Sequence, residues 1–465
     1  MMIPTNAFEW LTLHGLVTAM AVLIYVVHSH VMPQRRQPSA AIAWMLFILL
    51  VPYLALPAYL VFGSRKLARP AAAQRGARPA PPAQGHWAAD TLIALNQPAP
   101  AAFAHLAVHP DGATARDSLL ALIDSAERSI DVCTFIFAGD AMGQTVMARL
   151  VARAQAGVRV RLMIDGMGSL MTRPPSLKPL KAAGGECAIF VPPLRSPLKG
   201  RTNLRNHRKL VLVDAALPSA RLWSGGRNLA SEYFTGASGS PAWRDLSFAL
   251  SGPLTQQAAE LFERDWRFAQ GQPPLREAAP PSAAPSPASG AQLLASGPDQ
   301  SDDTFYALLL TAAYRAQQRI ALATPYFVPD SALQMALCMA ARRGVQVDLL
   351  LPARSNHRLS DLARGRALRA LHQAGAYLWL TGGMLHAKLA LFDGELALAG
   401  SANLDSRSLF INYEMMFAFH GTPNTAPFEA WFDNERANAA PHHPTNPGLL
   451  RDTAEGLVLW TGFQL

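Results

Sequence analysis

Cysteine is scarce in this chain of 465 residues, which contains only 3 of them, Cys133, Cys187 and Cys338. Thiols so few and so widely separated exclude a disulfide framework and a cysteine zinc site. Cys133 and Cys338 lie in apolar runs, where a small buried hydrophobic residue is expected. The adjacent His442 and His443 lack further ligands at a useful spacing, so no metal site is predicted there. No cofactor is predicted for the protein.

Acidic residues are also in deficit, because 32 Asp and Glu stand against 41 Lys and Arg, which gives a net charge of +9. This balance indicates an anionic partner, either a nucleic acid or an acidic membrane surface. No basic run is interleaved with aromatic residues, as a single-stranded nucleic acid track would favour. The length of the chain favours two domains with accessory segments.

Charge is absent from the apolar run at residues 40–62, and a first, mostly apolar run covers residues 10–27. A bilayer span takes about 20 apolar residues, so both runs qualify. The start MMIPTNAFEW has no basic region, which argues against a secretory signal peptide. We therefore expect a hairpin of two transmembrane helices, with a kink or a re-entrant part at Pro52 and Pro57.

Basic residues flank these apolar runs unequally. Arg35 and Arg36 lie between them, and a larger cluster follows the second run. This bias favours a cytoplasmic position for the rest of the chain, although the two loop arginines act against it. The cluster after the second run consists of Arg65, Lys66, Arg69, Arg75 and Arg78.

Two stretches rich in Ala, Pro and Gly, at residues 69–85 and 273–291, lack apolar periodicity and are typical of linkers. They divide the chain into five predicted segments. These are a membrane hairpin at 1–66, a linker at 67–102, a first domain at 103–271, a second linker at 272–298 and a second domain at 299–465.

One motif occurs twice, at residues 206–228 and 385–403. Each copy has His, one residue, Lys, four residues, Asp, and then a turn of small residues that ends in Asn. The two-residue period of a strand places His and Lys on the same side of the chain. A chance or purely structural origin becomes improbable when all the offsets recur. The two sets are His207, Lys209, Asp214 and Asn228, and His386, Lys388, Asp393 and Asn403.

This set of residues is suited to phosphoryl transfer through a covalent intermediate. A neutral imidazole attacks a phosphodiester, a second imidazolium protonates the leaving oxygen, and Lys and Asn hold the other phosphate oxygens without a metal. Asp245 and Glu414 each precede an apolar alternation after a motif, where they are expected to support an imidazole or a Lys. Such acids are expected to separate the two imidazole pKa values, so that one is neutral and the other protonated.

The same order of helix, strand, helix and strand precedes both motifs. Gly157 and Gly344 are predicted to end the second helix of each set. Strands that alternate with helices indicate an α/β fold, in which each half has a sheet covered by helices and the two halves are tandem repeats that share a cleft. The predicted elements are 115–126, 130–137, 143–156 and 158–165 in the first half and 304–316, 320–327, 331–343 and 345–352 in the second.

The two copies of the motif differ at the residue between His and Lys and in length, and both contain small residues before the Asn. The first copy has Arg208 where the second has Ala387, and it has four more residues between Asp and Asn, which predicts a longer hairpin. The small residues before each Asn are expected to let the backbone approach a phosphate closely. They are Gly225 and Gly226 in the first copy and Gly400, Ser401 and Ala402 in the second.

The chain resembles the phospholipase D superfamily, and within it the bacterial cardiolipin synthases. The stretches RNHRKLVLVD, TPYFVPD, DGELALAGSANLDSRSL and NYE carry this resemblance, which covers nearly the whole chain. It implies two tandem phospholipase D-like α/β sandwich repeats with a central cleft, and a bacterial inner membrane location. It also implies that His207 is the nucleophile and His386 the acid and base, although the residues alone do not order them.

Further roles follow from the resemblance. Lys209, Lys388, Asn228 and Asn403 would bind the phosphate oxygens. Asp214 and Asp393 complete the catalytic motifs, and their places at strand ends favour a bracing role.

The resemblance implies a cardiolipin synthase, which transfers a phosphatidyl group between two phosphatidylglycerol molecules and releases glycerol. The expected partners are phosphatidylglycerol, other anionic phospholipids and the membrane, without nucleic acid. A phospholipase D-type hydrolase or transphosphatidylase uses the same chemistry with another acceptor. A nuclease is disfavoured by the two apolar runs, and a non-enzymatic membrane protein is disfavoured by two intact motifs. The oligomeric state does not follow from the sequence.

Overall fold

A computed structural model of the chain describes residues 7–31, 38–62, 86–192, 203–237, 239–273, 290–300 and 302–461. The basic residues predicted to set the membrane orientation lie outside these ranges. Three helices form the N-terminal part, namely α1 (Ala7–Val31), α2 (Pro38–Leu50) and α3 (Pro52–Phe62).

The second apolar run, for which a kink or a re-entrant part was predicted at Pro52 and Pro57, forms two helices. It is divided at Val51, because Pro52 has no N–H to continue the α2 ladder and instead begins α3. In the part of the chain that the structure describes, no helix has both the length and the apolar character needed to cross a membrane. The three helices pack on one another through a small apolar core made of Ala21, Tyr25, Ile48, Ala55 and Tyr59.

Both predicted linkers contain regular structure at their C-terminal ends. Helix α4 (Trp87–Ala94) lies in the first, and its Ala88 and Leu92 pack into the core of the second half. Strand β8 (Ala291–Ser296) lies in the second and joins a sheet. The predicted linkers, which end at 102 and 298, therefore include ordered segments. The short apolar runs in these segments contact residues that are distant in the sequence. Residues 63–85 and 274–289 lie outside the described residues.

The first half forms a seven-stranded sheet in the order β1-β7-β6-β5-β2-β3-β4. Strands β2, β3 and β4 are parallel, and β5 pairs antiparallel with β2. Its elements are β1 (Ala104–His109), α5 (Gly112–Asp124), β2 (Ser129–Thr134), α6 (Ala141–Gln155), β3 (Arg159–Asp165), α7 (Gly166–Thr172), α8 (Lys178–Ala182), β4 (Glu186–Phe190), β5 (Leu210–Val213), β6 (Arg221–Gly225), a 3-10 turn (Ser231–Tyr233), β7 (Ser247–Ser251) and α9 (Leu254–Ala269).

The second half repeats this topology in an eight-stranded sheet, β8-β16-β14-β13-β9-β11-β12-β17, in which β17 is an additional edge strand. The predicted tandem α/β repeats are thus confirmed, as are the helix ends at Gly157 and Gly344, which have φ of 88° and 90°. The further elements are α10 (Thr304–Arg315), β9 (Arg319–Ala323), β10 (Phe327–Val328), α11 (Ser331–Arg342), β11 (Gln346–Pro352), α12 (Arg358–Gln373), β12 (Tyr377–Thr381), β13 (Leu389–Phe392), β14 (Leu396–Gly400), β15 (Leu404–Asp405), α13 (Ser406–Phe410), β16 (Glu414–His420), α14 (Thr422–Ala437), β17 (Ala440–Pro441) and α15 (Leu449–Thr461).

One apolar core joins the two halves. It contains residues from the inner faces of both sheets and from helices α9 and α14. The rings of Phe248 and Phe417, one from each sheet, meet edge to face with centroids 5.3 Å apart. Separate outer cores lie under the helices on the far face of each sheet. Because the shared core is continuous, it holds the two motif-bearing strands at a fixed relative position.

Candidate active site

The two motif histidines lie at a seam where the halves exchange backbone hydrogen bonds. The His207 N–H donates to the Tyr413 carbonyl at 2.9 Å, and the His386 N–H donates to the Arg244 carbonyl at 2.6 Å. Tyr413 and Arg244 directly precede the predicted acids Glu414 and Asp245 in the sequence. Each motif is therefore aligned by the acid-bearing segment of the other half.

The side chains cross the seam in the same way. Nδ1 of His207 lies 3.1 Å from the Glu414 carboxylate and 3.1 Å from the carbonyl oxygen of Ser401. Nδ1 of His386 lies 2.7 Å from the Asp245 carboxylate. A carbonyl and an ionised carboxylate only accept hydrogen bonds, so Nδ1 of each ring carries a hydrogen, and Nε2 is the nitrogen available for chemistry. Both imidazoles are buried, with 8% and 4% of their residue surface exposed.

The two lysines directly precede strands β5 and β13, and each bonds to the backbone of its own motif histidine. Lys209 Nζ donates to the His207 carbonyl at 2.6 Å, and the Lys388 ammonium donates to the His386 carbonyl. Lys388 Nζ also lies over the His386 ring, 2.8 Å from Nδ1 and 3.0 Å from Nε2. Burial lowers the pKa of Lys209 to about 8 and that of Lys388 to about 7, although the nearby acids oppose the shift.

Asp214 and Asp393 do not join this cluster. The Asp214 carboxylate accepts backbone N–H groups of residues 127, 128 and 129, the shortest at 2.6 Å. The Asp393 carboxylate accepts those of residues 317, 318 and 319 at 2.8 to 2.9 Å. Each lies beyond its motif strand, about 20 Å along the chain from the histidine at some 3.3 Å per residue. Their oxygens are used by the turns before β2 and β9, which agrees with the bracing role, and their part in catalysis remains a prediction.

The two motif asparagines are buried but bonded differently. Asn228 Oδ1 accepts from the Ile136 N–H at 3.2 Å, and its Nδ2 donates to the Tyr233 hydroxyl at 2.9 Å. Asn403 Oδ1 is buried and has no hydrogen-bond partner among the described residues. Their predicted role in holding phosphate oxygens remains a prediction.

The small residues before each asparagine make room for the acids. A Cβ on Gly226 would lie 2.2 Å from Oδ1 of Asp245. A Cβ on Gly400 would lie 2.2 Å from the Met415 carbonyl oxygen. The Ser401 hydroxyl donates to the Glu414 carboxylate at 2.5 Å. An added Cβ would meet the segments that carry Asp245 and Glu414, and the expected close approach of the backbone to a phosphate remains a prediction.

The electrostatics favour neutral imidazoles at both positions. Burial lowers the pKa of His207, and burial together with Lys388 lowers the pKa of His386 to about 3. The Glu414 and Asp245 carboxylates raise both pKa values but do not cancel the effect of burial. The expected division into one neutral and one protonated ring therefore does not follow from the protein groups alone.

Aromatic rings contact both histidines. Phe135 packs edge to face on His207 at 5.0 Å, whereas Tyr233 and Trp243 contact His386 at 5.0 and 5.7 Å. No residue pattern distinguishes such rings from core residues. Within the described ranges, no group of three or more His, Cys, Asp and Glu side chains is arranged to hold a metal ion.

Arg208, a residue that differs between the two motifs, is fully buried and links the two halves through hydrogen bonds. Its guanidinium donates to the Asp265 carboxylate at 2.5 Å and to the backbone carbonyl of Glu414 at 3.0 Å. It also lies 3.4 Å from Asp299. The signal in the sequence was the exchange of Arg208 for Ala387, which alone did not reveal the partners.

Crossed pairs of histidine and carboxylate in a duplicated α/β fold define a phospholipase D-like phosphoryl-transfer centre. Residues 119–266 and 309–436 match the family described as "Cardiolipin synthase, PLD-like domain". Residues 18–64 match the phospholipase D-nuclease N-terminal family. The chain belongs to the cardiolipin synthase, PLD-like domain family.

Relatives of known name agree with this assignment. Cardiolipin synthase A of Klebsiella pneumoniae is 33% identical over 424 residues, which cover 84% of this chain and 85% of the relative. Cardiolipin synthase A of Edwardsiella ictaluri is 31% identical over 439 residues, 88% of each chain. The crystal structure of phosphatidylserine synthase of Haemophilus influenzae shares the fold, with a TM-score of 0.60, 14% identity, and coverage of 82% of this chain and 100% of that chain.

Proposed function

We propose that this protein is a cardiolipin synthase, which transfers the phosphatidyl group of one phosphatidylglycerol to the terminal hydroxyl of a second and releases glycerol. The observation that carries this proposal is the pair of buried imidazoles, His207 and His386, each oriented by a carboxylate from the opposite half. The choice of acceptor is supported by relatives named cardiolipin synthase A that align over most of the chain.

In the first step, Nε2 of His207 attacks the phosphorus of the donor lipid. A P–N bond forms while the P–O bond to glycerol breaks, and the protonated His386 gives its Nε2 hydrogen to the leaving oxygen. The Glu414 carboxylate and the Ser401 carbonyl hold the Nδ1 hydrogen of His207, so the lone pair stays on Nε2. The products are a phosphatidyl-histidine at position 207 and glycerol.

In the second step, the terminal hydroxyl of another phosphatidylglycerol attacks the same phosphorus. His386, now neutral, accepts the hydroxyl proton at Nε2 while the new P–O bond forms and the P–N bond to His207 breaks. Asp245, at 2.7 Å from Nδ1, stabilises the imidazolium that results. Cardiolipin is released and both rings return to their starting forms.

The charge of the donor phosphate has a part in this cycle. Lys209 and Lys388 are buried beside the rings, and Lys388 lowers the pKa of His386. A phosphodiester anion between the lysines would offset their charge and raise the pKa of His386. Donor binding would then protonate the general acid at the moment when it is needed, with the motif asparagines as further donors to the phosphate.

The lipid substrate requires contact with a membrane, and we assign this contact to helices α1 to α3. Their outward side chains are apolar and exposed, for example Leu16 at 65%, Leu23 at 61% and Leu50 at 74%. Exposing so many leucine side chains to water is unfavourable in free energy, whereas their contact with lipid is favourable. Placement of these helices as a membrane hairpin, with the catalytic halves on the cytoplasmic side, is tested by labelling of introduced cysteines in sealed inverted vesicles.

The reaction is tested with purified, detergent-solubilised protein and phosphatidylglycerol as the sole lipid. We expect cardiolipin and glycerol in equal amounts, both lost in His207→Ala. Phosphatidic acid without cardiolipin would instead identify a hydrolase. The absence of any lipid product would direct the search to other phosphodiesters.

The order of the two histidines is tested by trapping. With phosphatidylglycerol labelled in its diacylglycerol part, His386→Ala is expected to retain label on the protein after denaturation, because the intermediate forms slowly but is not resolved. His207→Ala is expected to retain none. Label on His207→Ala alone would reverse the assignment.

A further inference from the structure

A cavity of about 220 Å³ lies beside the active site, in the first half of the chain. It is lined by the start of helix α5 at residues 111–113, by Arg227, and by Trp243 and Arg244. This volume exceeds by several-fold the space of about 30 Å³ that one water takes in the liquid, so a phosphate group fits with water around it.

Arg227 lines the cavity and has one donor that the described part of the protein does not use. Its Nε donates to the Tyr233 carbonyl at 3.0 Å and its Nη1 to the Ser247 hydroxyl at 3.1 Å. Only 1% of the Arg227 surface is exposed, and its buried Nη2 has no hydrogen-bond partner among the described residues. An unsatisfied charged donor is costly when buried, so its retention indicates a ligand that accepts from it.

The other charged groups at the cavity already have hydrogen-bond partners. Asp111 caps helix α5 by accepting the Thr114 N–H at 2.8 Å. Arg244 is bound to Glu435, with Nε at 3.0 Å from the carboxylate, and 42% of its side chain remains exposed. Arg227 has no carboxylate within ion-pair distance in the described part of the chain, and the charges of Asp245 and Asp111 act on it only from farther away. The start of the 13-residue helix α5 adds a partial positive charge.

The cavity shares its wall with the general acid and base. Trp243 lines the cavity and its ring contacts His386, with centroids 5.7 Å apart. The Arg244 carbonyl accepts the His386 N–H at 2.6 Å. Arg227 directly precedes Asn228, a predicted phosphate ligand. An anion in the cavity would therefore lie next to the group that activates the acceptor hydroxyl, and it would be separate from the phosphorus that His207 attacks.

We propose that this cavity binds the phosphate group of the acceptor lipid. This inference rests on the proposed function and adds the basis of acceptor choice. In phosphatidylglycerol the attacking hydroxyl and a phosphate are joined by one glycerol unit, so Arg227 would hold the phosphate while His386 activates the hydroxyl. Water and simple alcohols carry no phosphate and gain nothing from the cavity.

The test is a competition between two acceptors for the same intermediate. The full-length protein receives phosphatidylglycerol together with ethanol, and the ratio of cardiolipin to phosphatidylethanol is measured. Because both products arise from one phosphatidyl-enzyme, their ratio does not depend on how much of a variant is folded. Arg227→Gln is expected to lower the ratio about tenfold or more, the scale of one charge-assisted hydrogen bond. Arg244→Gln is expected to lower it less, because Glu435 already engages that guanidinium.

A matched control is Arg161→Gln. Arg161 is another buried arginine of the first half, bonded to Asp131 at 2.7 Å and remote from the cavity lining. It is expected to leave the ratio unchanged even where total product falls. An unchanged ratio in Arg227→Gln, or an equal fall in Arg161→Gln, would overturn the proposal.

Two further measurements complete the test. One distinguishes the phosphate of a lipid from free phosphate, and the other measures binding without turnover. Inorganic phosphate is expected to lower the wild-type ratio only weakly, because it lacks the linked hydroxyl. Strong reduction by free phosphate, with an unchanged ratio in Arg227→Gln, would assign the cavity to the free ion and contradict the proposal. Calorimetric titration with glycerol 3-phosphate needs no turnover, and it is expected to show weaker binding to Arg227→Gln than to Arg161→Gln. Equal binding would reject the site even if the transfer reaction itself failed.

Discussion

Nδ1 of His207 lies 3.1 Å from the carboxylate of Glu414, although 207 positions separate the two residues in the sequence. The same relationship holds in the opposite direction, since His386 lies 2.7 Å from Asp245 across 141 positions. Each half of the chain thus supplies an imidazole to one pair and an acid to the other. Neither half contains a complete oriented histidine, so we expect catalysis to require both halves in their packed arrangement.

The first prediction concerns Glu414→Gln. The lost charge no longer stabilises the charged ring of the intermediate, so we expect kcat to fall about 100-fold or more. Glu414 raises the pKa of His207 while burial lowers it, so the variant pKa falls further. The attacking ring must be neutral, and the acidic limb of kcat/KM should therefore move to lower pH. A pH profile of intermediate formation checks this. Asp245→Asn should lower the rate without this shift, and identical profiles for the two variants would contradict the assignment.

The second prediction concerns Gly226→Ala. The added Cβ would lie 2.2 Å from Oδ1 of Asp245, so the carboxylate must move away from His386. Displacement of an orienting group by about 1 Å can cost about 100-fold in rate, and we expect a loss of kcat on that scale. Gly382→Ala is the control, because a Cβ there meets nothing within 4 Å. Equal turnover of the two variants would show that Asp245 does not need its present position.

The third prediction separates bracing from catalysis at Asp214. Asn tolerates the left-handed backbone found there, φ 56°, so Asp214→Asn keeps the turn but removes the charge that accepts backbone N–H groups. We expect a loss of about 1–3 kcal/mol in stability with little change in turnover per active molecule. Thermal unfolding and trapped phosphatidyl-enzyme provide the two measurements. A large fall in turnover at unchanged stability would instead support a catalytic role for Asp214.

The fourth prediction concerns Arg208. Arg208→Met leaves the buried Asp265 without its partner, which should cost about 3–5 kcal/mol. The double variant Arg208→Met with Asp265→Leu should recover much of that loss, because no unpaired charge remains. Arg366→Met is the control, since Arg366 and Asp452 are exposed and such pairs contribute about 1 kcal/mol or less. Equal effects of the two single variants in thermal unfolding would show that the buried Arg208–Asp265 pair stabilises the fold no more than an exposed pair does.

Much of the fold could be predicted because local sequence patterns specify where its helices and strands begin and end. Helix α11 and strand β11 begin and end within two residues of their predicted positions, and Gly344 ends the helix as expected. The division of the second apolar run followed from Pro52, whose effect was predicted only as a kink or a re-entrant segment. Strand β8 was assigned to a linker, because a short apolar run after a Pro-rich stretch has no local signal for its partner β16.

The sequence by itself determined the duplicated motif, the tandem α/β halves and the chemical character of the site, because these depend on residue types at fixed spacings and on the period of a strand. Only the tertiary structure decided that Glu414 serves His207 and Asp245 serves His386, which turns Asp214 and Asp393 brace, and that Arg227 lines a cavity and has an unused donor. The physical reason is that these contacts join residues far apart in the chain. Their distances are set by the packing of two sheets on one shared core, which no local spacing encodes.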